Sequence, residues 1–60
     1  MTKADLKRYL IEEAEYRPST VDNMDAYDMI DAYLRYEGIV GYTGSIIEVV
    51  EAATGKKLKL

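Results

Sequence analysis

Four aspartates three residues apart, Asp22, Asp25, Asp28 and Asp31, are the first residues in this 60-residue chain whose type and spacing suggest chemistry. On a helix such spacing brings carboxylates beside one another, at a cost of about 0.2–0.5 kcal/mol per like-charged pair. A calcium loop of the EF-hand kind needs oxygen ligands at alternate positions around a central glycine, and this row lacks that pattern. A paired-carboxylate acid/base site needs a cleft that raises one pKa, and nothing in the sequence points to one. Two readings remain: a solvated face, which is the plainer one, or a face for a basic partner. In the second, Asp25, Asp28 and Asp31 are the contact residues. One form of it is an acidic inhibitor that mimics nucleic acid towards a basic cleft.

Six tyrosines, with no Phe or Trp, form the second group. Tyrosine joins a large apolar body to a hydroxyl that needs water or a partner, and it is enriched at interfaces. Tyr27, Tyr33 and Tyr36 fall on the apolar side of the central helix, so their plain reading is the rim of a core. As an interface, the candidates are Tyr33, Tyr36 and Tyr42. A base-stacking platform would need a basic groove beside the rings, and none accompanies them.

A third constellation is a helix-turn-helix built from segments 20–37 and 44–54. The connector GIVGYTG is too long for the usual turn, and Glu37 stands where a small buried residue belongs. The would-be recognition helix, Ser45 to Thr54, has no Lys, Arg, Asn or Gln to meet bases or phosphates. The sequence therefore argues against nucleic acid as the partner, and a helix-turn-helix DNA binder stays the weaker alternative. Gly38, Gly41 and Gly44 lack the Lys-Ser/Thr that a phosphate-binding loop requires. With no His and no Cys, zinc sites, disulfides and the usual nucleophile–base pairs are absent. The expectation is a non-enzymatic protein without cofactor or metal.

The elements that must position these residues are read from apolar periodicity. Thr2 and Asp5 resemble a capping box. Leu6, Leu10 and Ala14 then mark a helix over about 3–16, which Pro18 stops, with Glu13 and Arg17 placed to pair. Segment 20–37 reads as a second helix, with Ser19-Thr20-Val21-Asp22 repeating the cap pattern and Asn23 as a second possible cap. Ile30, Leu34 and Tyr27 lie towards one edge of its apolar face, and Met29, Tyr33 and Tyr36 towards the other. Asp31 and Arg35 are in position to pair, and Gly38-Ile39 suits a left-handed helix end. Segment 44–54 is a third helix: Ser45 to Glu48 matches a capping box, and Ile46, Val49, Val50 and Ala53 make its stripe. Residues 56–60 form a basic tail, frayed or in an edge strand. The architecture expected is all-α, a compact three-helix bundle in one domain over 1–60, with the middle helix as spine. Its core would join Ile30 and Leu34 to Leu6, Leu10, Ile46 and Val50.

Composition narrows the function class. The chain is 32% charged and 48% hydrophobic with net charge −3, a globular balance. Residues 19–37 hold five acids and one base, while residues 1–18 balance at four each. No apolar run approaches a membrane span and no signal sequence is visible, so a cytoplasmic location is expected and a membrane partner is not. A 60-residue core without staples is small, which favours association. Met29, Tyr33, Tyr36 or the Ile39–Tyr42 connector would be left uncovered, and a homodimer is the expected form. The reading is a small acidic protein-binding or regulatory domain with a protein partner, a basic one if the acidic face is the contact.

Overall fold

The computed structural model describes all of residues 1–60, and the chain begins with the cap that its sequence suggests. Thr2 Oγ1 accepts the Asp5 N–H at 3.2 Å, and the Asp5 carboxylate accepts the Thr2 N–H at 2.9 Å. That backbone N–H holds the Asp5 carboxyl below its ordinary pKa. Helix α1 spans Lys3–Glu12 and buries Leu6 and Leu10. It stops a turn earlier than 3–16. Glu15 adopts a left-handed φ of 61°, and the Tyr16 N–H closes the turn on the Leu10 carbonyl at 2.9 Å. With the helix ended, the Glu13–Arg17 pair does not form.

Pro18 does not stop α1, which has already ended at Glu12; it opens α2, Pro18–Asp22, at the first position, where a missing N–H costs nothing. This short helix buries Val21 and leaves Ser19, Thr20, Asp22 and Asn23 without the capping roles expected of them. The true cap lies at Asp25. Its carboxylate accepts the Asp28 N–H at 2.8 Å, the Asp28 carboxylate faces the Asp25 N–H, and α3 runs from Ala26 to Glu37. The segment read as one helix over 20–37 is therefore two. Gly38, at φ 73°, ends α3, and the Ile39 N–H returns to the Leu34 carbonyl at 2.9 Å.

Helix α4 spans Ile46–Thr54. Ser45 caps it by accepting the Ile47 N–H, but Glu48 does not complete a box. The tail is anchored: the Lys59 N–H reaches the Met1 carbonyl at 2.7 Å, and the Leu58 N–H reaches the Glu51 carboxylate at 2.9 Å. A single parallel bridge joins Thr2 and Lys59, and no full strand forms.

The fold is all-α, with four helices, three of them longer than two turns. α3 is its centre, touching α1 on one side and α4 on the other. It supplies Met29, Ile30, Ala32, Tyr33 and Leu34 to a core completed by Leu6, Leu10, Val21 and Val50. Ile46 is only half-buried and Ala53 is exposed. Ala32 is buried, whereas Tyr27, expected on the apolar face, is 58% exposed in the first turn of α3. Contacts climb α1 and α3 in step. Ala4 lies near Met24 and Met29, Tyr9 meets Tyr33 and Tyr36, and Glu13 meets Tyr36. The two helices thus run in the same direction, with α2 on the return path, and both end at the same pole of the molecule. No helix is long and apolar enough to cross a membrane.

Candidate functional site

The row of four aspartates is broken at its first member, while Asp25, Asp28 and Asp31 stay together at the cap and first turns of α3. Asp22 sits on α2 and pairs with Lys7 of α1. Asp25 and Asp28 hold each other's backbone N–H groups. Asp31 pairs with Arg35 one turn on, at 3.1 Å. Each carboxylate has a structural partner, and the first turn of α3 is also where a helix dipole favours negative charge. No three acidic side chains come together as a set that could hold a metal ion.

The tyrosines divide by burial. Tyr33, read from sequence as a contact residue, is only 6% exposed and belongs to the core; its burial raises the pKa of its hydroxyl. Its ring lies 5.2 Å from that of Tyr9, which in turn meets Tyr36 edge-on at 5.9 Å. Tyr36 is 51% exposed, and its hydroxyl donates to the Glu13 carbonyl at 3.0 Å. The Tyr9 hydroxyl donates to the Glu37 carboxylate. That bond and partial burial hold its pKa well above the ordinary 10.0. A hydroxyl so held is a poorer acid than free tyrosine, so the pair suits cross-linking α1 to α3 better than moving protons.

The connector is covered only in part. Ile39 folds onto the core, but Val40 is 81% exposed and Tyr42 is at the surface. Glycines at 38, 41 and 44 all take positive φ, which fixes this uncharged segment, Gly38–Gly44, in a course only glycine adopts freely. Acids that the sequence does not mark as contact residues stand at the helix ends: Glu12, with Glu13 and Glu15 just beyond it, on α1, and Glu37 on α3. The molecule's three ion pairs, Lys7–Asp22, Arg8–Asp5 and Arg35–Asp31, engage none of them. The last turn of α1 has no basic residue, and that absence was visible in the sequence.

Three open recesses border α1, and two of them reach other parts of the chain. One, of about 300 Å³, lies over Val21, Met24 and Met29 with Lys3, Lys7 and Asp22 at its rim. The other, of about 470 Å³, is lined by Met1, Asp5, Arg8, Tyr9, Glu12, Glu13 and Lys56, with its charges of both signs mixed. Neither gathers a nucleophile beside a base. The chain exposes 4080 Å², close to the roughly 4,000 Å² expected of a compact monomer of this mass. Met29 and Tyr33, two residues on which the expectation of a dimer rested, are covered by the chain's own helices. No family model matches this sequence, and no curated protein or solved structure is similar enough to it to count as a relative.

Proposed function

We propose that the protein is a non-enzymatic protein-binding domain of the cytoplasm, and that its contact surface is the pole where α1 and α3 end, together with the Gly38–Gly44 connector. Tyr36, Val40 and Tyr42 are the anchoring residues. The observation that carries this reading is the exposure of Val40, at 81%, in an uncharged connector that begins two residues after the half-exposed Tyr36. Scattered apolar residues are normal on any surface. Here they come together within seven positions, 36–42, next to carboxylates that no ion pair uses. Asp25, Asp28 and Asp31, by contrast, become scaffold.

The test is affinity capture from the native host with three baits of equal thermal stability: parent, Val40→Ser/Tyr42→Ser, and Asp31→Asn. A partner retained by the parent and by Asp31→Asn, but lost with the connector variant, supports the proposal. Loss with Asp31→Asn and retention with the connector variant would return the site to the aspartates.

A further inference from the structure

The charges around the exposed apolar residues say what kind of partner fits them. Glu13 and Glu37 border Tyr36 directly, through the Tyr36–Glu13 bond and the chain itself. Glu12 ends α1 one residue before Glu13, and Glu15 follows two residues after it. The C-terminal ends of α1 and α3 both point here, and each adds partial negative charge from its free carbonyls. Of the nearby cations, Arg8 and Arg35 are paired with Asp5 and Asp31, which leaves Arg17 and Lys56 without an ion pair beside the four glutamates. A neutral or acidic partner would bury these carboxylates without compensation, which is costly.

We propose that the occupant of this pole is a cationic amphipathic segment of another protein. Its apolar side chains would cover Tyr36 and Val40, and its Lys or Arg side chains would meet the glutamates. The Tyr36 ring adds a face on which a guanidinium can rest. This inference rests on the protein-binding reading above and specifies the partner's chemistry.

Two synthetic helical peptides test it against the whole ¹⁵N-labelled chain: one of Leu and Lys, the other its Leu and Gln counterpart. The Leu/Lys peptide should shift amides at Glu13–Tyr16 and Tyr36–Tyr42. Its affinity should fall about tenfold with Glu12→Gln/Glu13→Gln, the size that two surface ion pairs supply, and should also fall with Val40→Ser and with added salt. Shifts centred on Asp25–Asp31 would overturn the proposal. Equal binding of the Leu/Gln peptide at the pole would overturn the cationic partner but leave the contact surface standing. If neither peptide perturbs the pole, both readings fail.

Discussion

The two acidic regions of this molecule look alike in composition and differ in what their carboxylates do. At the start of α3, every aspartate is used by the fold: Asp25 and Asp28 cap the helix, Asp31 pairs with Arg35, and Asp22 ties α2 to α1. At the far pole, Glu12 and Glu13 stand at the C-terminal end of α1, where the helix dipole disfavours negative charge. Glu15 is held in the left-handed region, which costs a residue with a side chain roughly 1–2 kcal/mol. The first region obeys the rules of helix stability and the second works against them. Local costs of this kind collect where a protein does something other than fold. The contrast teaches that acidic residues must be judged by their partners and not by their number.

Both regions hang on one core, and its loss has the largest expected effect. Leu34 is 1% exposed at the point where α3 meets its neighbours, so Leu34→Ala should cost about 2–5 kcal/mol. In a domain this small that removes most of the stability, and urea denaturation measures it. A parent-like midpoint would mean that α3 does not organise the molecule, and the comparison of its two ends would lose its basis.

The Tyr9–Glu37 bond is where the glutamate pole contributes to the fold, and pH sharpens that exception. The folded state keeps Tyr9 protonated above its ordinary pKa, so the unfolded state ionises first as pH rises. The stabilisation is therefore complete below about pH 10 and is lost progressively above it. Tyr33, raised by burial, acts in the same direction. Urea midpoints between pH 8 and pH 11 should fall for the parent and fall less for Tyr9→Phe. Identical slopes would show that Tyr9 titrates as a free tyrosine and that the cross-link does not persist in solution.

Much of the scaffold was legible in the sequence, for local reasons. The Thr2–Asp5 box, the Gly38-Ile39 ending and the Asp31–Arg35 pair depend on residues a turn apart, and each forms as its spacing suggests. Leu6, Leu10, Ile30, Leu34 and Val50 follow from periodicity and are buried. The break between α2 and α3 was hidden because Val21 and Met24 continue the apolar pattern through it. The Asp25–Asp28 box is hidden in the sequence by the three-residue spacing of all four aspartates, which suits a charged row equally well. Glu15 at positive φ has no local signature, since Gly or Asn would be the residue expected there. The glutamate pole needed two facts that only the three-dimensional structure supplies: α1 stops at Glu12, and α1 and α3 end on the same side. Tyr33 was misassigned because a wide apolar face does not say which of its tyrosines the neighbouring helices cover.

One paired measurement tests the central contrast without a partner in hand: the urea midpoints of Asp25→Ala and Glu15→Gly against the parent at pH 7. Removing the α3 cap should destabilise the fold by about 0.5–2 kcal/mol. Glycine at position 15 should stabilise it by about 0.5–1 kcal/mol, the relief of a left-handed residue less the added freedom of the unfolded chain. Opposite signs are the predicted result. If Asp25→Ala is neutral, or if Glu15→Gly destabilises, the aspartates are not the scaffold and the glutamate pole does not stand under strain, and the account fails.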